Sequence, residues 1–477
     1  MTVVSAKSHR PTGREAMRDA VEYCADCTSC MDLMEGECRF FAELFPLLWI
    51  RGQEPIPDAT VRKLAECCTY CGLCPCPEIP ANLTEGKSAY VAEEGLPLSA
   101  RLLTDVPRLA RLCGTFPRVY EALQSSKPVQ PLLRKISRVH PDRTFPRFAK
   151  ESFFTWAART GRTEREEGRR HAAYFAGCTV GYMFPEVGRA VVAVLERNGV
   201  PVYVPPQECC GMPFLVEGDQ RHALAKAESS VQQLLEARRA GDDIVSSCPT
   251  CGFFLKVLLV ENAYYSDAYQ RSVDARSDEI RIPTRDGGPG SFRVMSRPTY
   301  GDVLKDDGYF SSIPPLERIE VAENVNDTGD YLARLLAQGQ LDTRFAPIAE
   351  RIAYFPPCHQ RTQEKARPYA DLLRLIPGLS VQVVGEDACC GMGGSVGFKA
   401  DVHEASLEVG RPLFESLEKI APDAVVTECL SCRLQFNHAL RYPVFHPMEI
   451  LARAYGAGES SPAPARHVAA PVPATSP

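Results

Sequence analysis

The sequence lacks the features of a secreted or membrane-spanning protein. Residues 1–20 contain no apolar core of the kind that a signal peptide requires. No apolar run reaches the roughly 18 residues that a membrane-spanning helix needs, and the longest candidate lies around Phe40 to Ile50. We therefore expect a cytoplasmic protein whose contact with a membrane, if any, is peripheral and on the cytoplasmic face of the inner membrane.

Two further absences narrow the function. No GxGxxG fingerprint follows a predicted strand, so we do not expect the chain to carry FAD itself. The formal net charge is −6, which gives no reason to expect nucleic acid binding. The length of 477 residues suggests about two to four domains.

Cysteine, in contrast, is abundant. The chain has 20 cysteines, whereas disulfide-rich scaffolds are short secreted chains. In a reducing cytoplasm, cysteines of this number are expected to be metal ligands or catalytic groups. The sequence therefore predicts a metalloprotein.

An internal repeat contains half of these cysteines. Five cysteines of one copy match five of the other at offsets of 180 or 181 residues, which indicates a duplicated domain. The first copy has Cys178, Cys209, Cys210, Cys248 and Cys251, and the second has Cys358, Cys389, Cys390, Cys429 and Cys432.

Each copy alternates predicted strands with amphipathic helices, which is typical of a small parallel sheet. The segments AAYFAG, VPVYVPP and DDIVSSC are strands in the first copy, and IAYFPPC, LSVQVVG and DAVVTEC are their counterparts. Pro412 is expected to split the middle helix of the second copy into two pieces. Every cysteine group follows a strand, so five thiolates should converge at the carboxyl edge of each sheet.

The remaining sequence divides around this repeat. Residues 101–150 carry 11 Lys and Arg against 3 Asp and Glu, which indicates a solvated helical connector or a surface that docks on anionic lipid. The predicted divisions are an N-terminal domain (1–96), a basic helical connector (97–165), the first copy (166–265), an insertion or linker (266–345), the second copy (346–457) and a disordered tail (458–477).

The N-terminal domain contains C-x-x-C-x-x-C twice, which is the spacing of bacterial ferredoxins. In that pattern the fourth ligand of each cubane [4Fe–4S] cluster comes from the other half. One predicted ligand set is Cys24, Cys27, Cys30 and Cys76; the other is Cys68, Cys71, Cys74 and Cys38.

The fourth ligands depart from the usual spacing, with seven and one intervening residues instead of about three. Cys67 could therefore replace Cys68 as a ligand. Zinc is the alternative metal, but zinc sites use two separated C-x-x-C pairs, which fits two runs of three cysteines poorly. Cys113 stands alone and is interpreted as a small buried hydrophobic residue.

The repeat fits zinc even less well, because adjacent thiolates cannot easily bind one small tetrahedral ion but can straddle a larger inorganic cluster. Gly211 and Gly391, which follow the vicinal pairs, would let the backbone approach such a cluster closely. A redox-active vicinal disulfide is the other alternative, and it leaves three cysteines per copy unexplained.

At these residues the chain resembles the cysteine-rich CCG-domain family. The family includes heterodisulfide reductase B and D subunits, the C subunit of anaerobic glycerol-3-phosphate dehydrogenase, and related glycolate and lactate oxidase subunits. The segments IPGLSVQVVGEDACCGMGGSVGFK, PDAVVTECLSCRLQF and HPMEILARA are similar to the glycerol-3-phosphate dehydrogenase protein. The resemblance implies a helical ferredoxin-like domain with two cubane [4Fe–4S] clusters, followed by two α/β CCG domains with small parallel sheets.

The resemblance also implies one noncubane [4Fe–4S] cluster for each complete five-cysteine motif. Its leading functional interpretation is an electron-transfer subunit that passes electrons from a flavoprotein dehydrogenase, acting on glycerol 3-phosphate or a 2-hydroxy acid, to membrane quinone. The first copy is often incomplete in the dehydrogenase subunits. A complete first copy therefore keeps open a second interpretation, disulfide reduction at the noncubane clusters. A structural zinc protein without redox function is the third.

Two histidines lie beside these motifs. His359 follows Cys358 directly, and His446 precedes Pro447. Either could hydrogen-bond a cluster sulfur or line a quinone site. For His446 the favoured interpretation is a residue that starts a helix.

Overall fold

The computed structural model describes residues 13–27, 30, 38–51, 54–74, 76, 78–115, 135–143, 148–284, 290–363 and 368–457. Residues 458–477, predicted as a disordered tail, lie outside the described residues, as does much of the basic connector.

The N-terminal region is helical, as the sequence predicts. Its core is formed by apolar side chains that include Met17, Leu44 and Leu83. A Cβ on Gly86 would lie 2.3 Å from that of Met17, so the first and fourth helices can approach closely only because position 86 is glycine. The helices are α1 (Gly13–Cys27), α2 (Arg39–Arg51), α3 (Asp58–Cys67) and α4 (Glu78–Glu94).

A helical connector leads from this region to the first α/β domain. Its described helices are α5 (Leu98–Thr104), α6 (Val106–Thr115) and α7 (Phe153–Arg159). Ser152 begins α7, since its hydroxyl accepts a hydrogen bond from the Thr155 amide. Phe153 is fully buried and joins the core of the α/β domains.

The first α/β domain is built on a four-stranded parallel sheet whose strands lie in the order β2 (Val202–Tyr203), β1 (Ala172–Phe175), β3 (Asp243–Ser246) and β6 (Val325–Asp327). Strands β1 and β3 are buried along nearly their whole length, as expected where helices cover both faces of a sheet. Its elements are β1 (Ala172–Phe175), α8 (Gly177–Tyr182), α9 (Pro185–Arg197), β2 (Val202–Tyr203), α10 (Met212–Val216), α11 (Gln220–Arg239), β3 (Asp243–Ser246) and α12 (Pro249–Phe253).

A π-helical turn (Phe254–Leu258) continues α12, and a subdomain with an antiparallel pair of strands follows. The chain then returns to the sheet, where β6 pairs with β3. The elements after the π-helical turn are a 3-10 turn (Ala263–Tyr265), α13 (Asp267–Ser272), β4 (Glu279–Pro283), β5 (Phe292–Ser296), α14 (Arg297–Tyr300), α15 (Pro315–Asn324), β6 (Val325–Asp327) and α16 (Thr328–Ala337).

The second α/β domain repeats this arrangement with the order β10-β9-β7-β8, again parallel throughout. Strand β10 is the counterpart of β6. The elements are β7 (Arg351–Tyr354), α17 (Cys358–Gln363), α18 (Pro368–Arg374), β8 (Ser380–Val383), a 3-10 turn (Val396–Phe398), α19 (His403–Ile420), β9 (Ala424–Val426), α20 (Leu430–Ala439), β10 (Val444–Phe445) and α21 (Pro447–Ala454).

The comparison of the two sheets shows where the first copy ends. The sequence interpretation closed that copy at residue 265 and assigned 266–345 to an insertion or linker. The structure places the fourth strand and the following helix of the first domain, residues 325–337, inside that range. The added material is therefore an excursion between α12 and β6, and it interrupts the domain.

The prediction that Pro412 splits the middle helix of the second copy was wrong. Helix α19 runs without a break from His403 to Ile420 and contains Pro412. A proline removes one backbone hydrogen bond, but packing can hold a helix together across it. Here Leu413, Phe414 and Leu417 bury the same face of α19 against the core of the second domain.

Two pairs of helices pack across the interface between the two α/β domains. Helix α21, which follows the fourth strand of the second domain, packs on α9 of the first. Helix α16, which follows the fourth strand of the first domain, packs on α18 of the second. One continuous hydrophobic core results, and it contains Val191, Leu332, Leu373 and Ile450. Within the described residues, no helix combines the length and apolar character needed to cross a bilayer.

Replacement of Leu332 by alanine tests whether α16 belongs to this shared core. Leu332 is fully buried, so we expect the Leu332→Ala variant to lose about 2–5 kcal/mol of unfolding free energy. Leu316→Ala is the control, since Leu316 is 44% exposed and its truncation should change stability little. Denaturant unfolding measures both, and equal stability of the two variants would contradict the assignment.

Candidate metal centres

The five cysteines of the first copy converge at the carboxyl edge of its sheet, as the sequence predicts. Cys178 lies in α8 after β1, and Cys248 and Cys251 lie at and just after the start of α12, after β3. The Sγ atoms of Cys178 and Cys209 are 3.7 Å apart. Cys210 interacts with both Cys209 and Cys251. Three loops thus bring five thiols into one buried space.

The thiols of this set strongly perturb each other. The pKa of Cys210 is lowered to about 6, because Cys209 and Cys251 donate hydrogen bonds to its sulfur. The pKa values of the donors and of Cys178 are raised, since hydrogen bonding among the thiols and burial both favour their protonated forms. The set alone therefore holds few negative charges, and ionisation of all five thiols requires a cationic partner.

The second copy repeats this arrangement. The Sγ atoms of Cys390 and Cys432 are 3.0 Å apart. Hydrogen bonds from Cys389 and Cys432 hold the pKa of Cys390 well below its usual range. The pKa of Cys358 is raised to about 12 by burial and by the charges of Cys429 and Cys390. All five predicted cysteines of this copy therefore lie together as well.

The glycines at these sites have tightly defined surroundings. Gly177 has φ +70°, and a Cβ there would lie 2.8 Å from the Cys251 sulfur. A Cβ on Gly391, at φ +79°, would lie 1.9 Å from the Ser406 carbonyl oxygen. Gly391 thus permits close contact between the vicinal-cysteine loop and helix α19, whereas Gly177 leaves room beside the thiols.

The first N-terminal ligand set also converges. Burial, together with the charges of Cys30, Cys76 and Cys27, raises the pKa of Cys24 to about 12. The pKa of Cys30 is also raised, mainly by burial and then by the charges of Cys76 and Cys27. These four thiols are the predicted set, and Cys76 reaches it from the second C-x-x-C-x-x-C motif.

The second N-terminal set lies between the first set and the α/β domains. The pKa of Cys71 is raised well above its usual range, mainly by burial and then by the charges of Cys358 and Cys38. Burial likewise raises the pKa of Cys74, and Cys71 and Cys68 add to the shift. Cys38 therefore reaches this set from the first motif, and the set is close to the site of the second copy.

The structure distinguishes Cys68 from Cys67. The Cys67 thiol donates to the Lys63 carbonyl oxygen at 3.3 Å, one turn back along α3. Its pKa is raised to about 12, mainly by burial. Among its charged neighbours, Arg39 lowers the pKa and Glu43 raises it. Cys68, in contrast, lies near the other thiols of its set, since its charge raises the pKa values of Cys38 and Cys74. The side chain of Cys113 lies outside the described residues.

His359 connects three of the cysteine loops. Its Nε2 lies 3.0 Å from the carbonyl oxygen of Tyr70, between Cys68 and Cys71 in the sequence. Its Nδ1 lies 3.0 Å from the hydroxyl of Thr250, within the first-copy C-x-x-C motif. A carbonyl only accepts, so Nε2 donates to it and Nδ1 accepts from the hydroxyl. Burial lowers the pKa of His359 to about 4, which keeps the ring neutral.

Aromatic and amide contacts reinforce this connection. The ring of Phe253 stacks on His359 with centroids 4.7 Å apart. A Cβ on Gly72 would lie 2.8 Å from the Phe253 ring, so the N-terminal loop rests directly on it. Gln363 donates to the Pro249 carbonyl oxygen at 2.8 Å. The loops of the second N-terminal set and of both copies therefore form one packed unit.

Lys87 is a second connection, which the sequence reasoning missed. Its buried ammonium group donates to the Cys68 carbonyl oxygen at 2.7 Å and to the Val216 carbonyl oxygen at 3.0 Å. Burial lowers its pKa. The sequence around Lys87 is an ordinary helix, so nothing in it indicates that this lysine reaches from α4 to the end of α10.

His446 begins helix α21, as the favoured interpretation predicts. Its Nδ1 accepts a hydrogen bond from the Met448 amide at 3.1 Å. The opposite nitrogen, Nε2, therefore donates to the Ser247 carbonyl oxygen at 3.0 Å. Burial lowers the pKa of His446 to about 3. The residue thus links the start of α21 to the loop before Cys248.

Glu428 is a buried acid that the sequence reasoning did not select. It precedes Cys429 directly, and its carboxylate accepts a hydrogen bond from the hydroxyl of Tyr354. Burial raises its pKa to about 8. Its counterpart in the first copy is Ser247, whose hydroxyl shares a hydrogen bond of 2.7 Å with the hydroxyl of Tyr174.

Comparison with known proteins agrees with the duplicated architecture. The cysteine-rich domain called CCG matches twice, at residues 172–256 and 352–437. The chain therefore contains two CCG domains. Each match begins at or near the first strand of a sheet. The first match ends in the π-helical turn after α12 and the second ends in α20, so the first match stops before strand β6.

Several curated proteins are similar over a larger part of the chain. The C subunit of anaerobic glycerol-3-phosphate dehydrogenase from Escherichia coli is 26% identical over 74% of this chain and 76% of that protein. The B subunit of fumarate reductase (CoM/CoB) from Methanothermobacter marburgensis is 28% identical over 59% of this chain and 46% of its own length. The glycolate oxidase iron-sulfur subunit of E. coli is 22% identical over 60% and 58%. These relatives are subunits of oxidoreductases.

The chemistry of the cysteine sets fits iron–sulfur clusters. Every described cysteine is a free thiol, and soft thiolates are the ligands that such clusters use. Each CCG domain gathers five thiols, one more than a tetrahedral zinc ion accepts. The residues that would hold the clusters are the eighteen predicted from the sequence, with Cys68 rather than Cys67 among them.

Two serine substitutions test the ligand assignment at the end of α3. We expect Cys68→Ser to remove or shift one N-terminal cluster signal in low-temperature EPR, because a thiolate ligand is lost. Cys67→Ser is the matched control, and it should keep the wild-type signals because Cys67 hydrogen-bonds within its own helix. The opposite pattern would show that Cys67 is the ligand.

Proposed function

We propose that this chain is an iron–sulfur electron-transfer subunit with four [4Fe–4S] clusters. Two cubane clusters would occupy the N-terminal thiol sets, and one noncubane cluster would occupy each CCG domain. When bound, such clusters supply one-electron carriers at potentials that their surroundings set. The free thiols, their burial and the comparison with iron–sulfur relatives support this proposal.

The observation that carries the proposal is the meeting of three ligand loops at His359. Electron carriers exchange electrons efficiently only when little protein separates them. Here the loop of the second N-terminal set, through Tyr70, and the loop of the first CCG domain, through Thr250, both contact a residue that adjoins Cys358. The arrangement supports a branched relay in which this N-terminal set serves both CCG domains.

The surrounding side chains have clear tasks in such a relay. His359 holds the loops at fixed separation through two hydrogen bonds and a stacked ring. Lys87 fixes the Cys68 loop against the first CCG domain and places an ammonium group beside it. A positive charge near a cluster favours its reduced form, so Lys87 should raise the potential of the second N-terminal site.

The proposed electron donor is a flavoprotein dehydrogenase for glycerol 3-phosphate or a 2-hydroxy acid, and the proposed acceptor is membrane quinone. The names of the relatives support a dehydrogenase or oxidase complex. The proposed location is the cytoplasm, with peripheral contact at the cytoplasmic face of the inner membrane. The basic sequence of residues 101–150 supports that contact.

A second candidate function is disulfide reduction at the two noncubane sites. The completeness of both five-thiol sets favours it, because each CCG domain gathers all of its cysteines. The similarity to the fumarate reductase (CoM/CoB) protein also favours it. In this alternative the relay would end at a substrate that contacts the CCG domains.

Metal analysis and a reconstituted assay test the proposed function. We expect about sixteen irons and sixteen labile sulfides per anaerobically purified chain, because four clusters contain four irons each. The chain alone should oxidise no glycerol 3-phosphate, lactate or glycolate. With its co-purified flavoprotein, one of these substrates should reduce a quinone analogue.

Three outcomes would decide against the leading proposal. Stoichiometric zinc without labile sulfide would exclude the clusters. Substrate oxidation by this chain without a flavoprotein would exclude a pure relay. Rapid cleavage of a small disulfide by the reduced chain, without quinone reduction, would favour the second candidate.

The His359→Ala variant tests the junction separately from the clusters. We expect all cluster signals to remain, because no ligand is changed, while the magnetic interaction between the second N-terminal site and the CCG sites weakens. EPR relaxation of partly reduced protein measures this interaction. His222→Ala is the control, since His222 lies on the surface of the first domain and pairs with Asp219. An unchanged interaction in His359→Ala would contradict the junction.

A further inference from the structure

A group of potential metal-binding side chains lies apart from the cysteine sets. His140 comes from the connector, and His403 and Glu404 are the first two residues of α19. Each residue offers one potential ligand atom, and these atoms all lie within 4.8 Å of one another. The two imidazole rings are stacked, with centroids 3.8 Å apart. Distant parts of the sequence thus bring two nitrogen donors and one oxygen donor together.

A third imidazole adjoins this group. His438, near the end of α20, lies edge-on to His403 with ring centroids 5.4 Å apart. The side chains of His403 and His438 are more than nine-tenths buried, and the Nδ1 atom of each has no hydrogen-bond partner among the described residues. Buried polar atoms are nearly always satisfied, so two unpartnered nitrogens on adjoining rings require an explanation.

Stacking alone does not account for these nitrogens. A neutral imidazole keeps a lone pair on one of its ring nitrogens, and a metal ion can accept that lone pair in place of a proton.

The nearby cation does not prevent metal binding. The guanidinium of Arg143 is already hydrogen-bonded to other groups. It donates to the Gly397 carbonyl oxygen at 2.9 Å, the Gln435 amide oxygen at 2.6 Å and the Ser406 hydroxyl at 3.0 Å. Glu404 is exposed and contributes a negative charge at the opening of the group. A divalent ion therefore meets a carboxylate on the solvent side.

We propose that His140, His403 and Glu404 bind one divalent transition-metal ion, with zinc the best match. Imidazole and carboxylate ligands suit zinc, whose sites in proteins are usually four-coordinate. The site differs in kind from the cysteine sets because it contains no sulfur ligand.

The position of the site gives it a structural role. The His140 amide donates to the Phe398 carbonyl oxygen at 3.1 Å, so the connector already lies on the second CCG domain. One turn along α19, the hydroxyl of Ser406 donates to the Gly391 carbonyl oxygen at 2.8 Å. A metal ion at the start of α19 would tie the connector to the helix that supports the vicinal-cysteine loop.

Zinc binding to the cluster-loaded full-length protein tests the proposal. The protein is incubated anaerobically with one equivalent of zinc and desalted, and zinc and iron are then quantified. We expect about one zinc per chain at unchanged iron content, and zinc K-edge spectroscopy should show nitrogen and oxygen ligands at about 2.0–2.1 Å. Sulfur ligands at about 2.3 Å would instead place the zinc on cysteines and overturn the proposal.

Two variants and a control locate the ion. Loss of an outer-shell partner alone lowers metal affinity about 10–100-fold, so loss of a direct ligand in Glu404→Gln or His403→Ala should lower it at least about tenfold. Glu404 is exposed, so its variant remains informative even if His403→Ala fails to fold. His222→Ala should retain zinc. Wild-type zinc affinity in Glu404→Gln, or no zinc retained by the wild type, would overturn the proposal.

Discussion

In each CCG domain, five sulfur atoms share one buried space, and the balance of their charge governs the surrounding structure. In the first domain, Cys210 becomes the preferred thiolate because Cys209 and Cys251 donate hydrogen bonds to it. More than one or two negative charges could not be buried there without a cation. The strand ends and glycine turns hold the sulfurs close together nonetheless, so the loops are shaped for a bound cluster, and completion of the fold is expected to depend on it.

The connections between the sites depend on side chains that bond main-chain carbonyl groups and a hydroxyl. His359 and Lys87 both bond carbonyl oxygens of the loop that contains Cys68 and Cys71. A hydrogen bond to a carbonyl oxygen fixes the position of a ligand loop without competing for its sulfur. Both side chains are buried, so each carries out this task where water cannot replace it. The spacing between the sites is thus set by side chains that contact the ligand loops and not the ligand sulfur atoms. These contacts would be the same for any cofactor that the thiolates bind.

Much of the site could be predicted from the sequence, because the information is local or repeated. The repeat at offsets of 180 and 181 residues predicted that each cysteine group follows a strand, and all ten CCG cysteines lie in segments that follow strands of the two sheets. The fourth strand of the first domain escaped prediction, because the excursion before residue 325 breaks the offset and β6 is only three residues long. The contacts of Lys87 and Glu428 escaped it as well, since they join segments that are distant in the sequence. Pro412 was misjudged because packing outweighed a local preference.

The packing of helices between the two CCG domains bears on how the chain arose. Helix α16 packs on α18, and α21 packs on α9, so each domain offers the other the same pair of surfaces. Such an interface is isologous, and two identical copies of a single domain could close it as a symmetric homodimer. Gene duplication and fusion would convert that dimer into one chain. The two halves could then diverge, as Ser247 and Glu428 have done at equivalent positions, which no homodimer could achieve with a single gene.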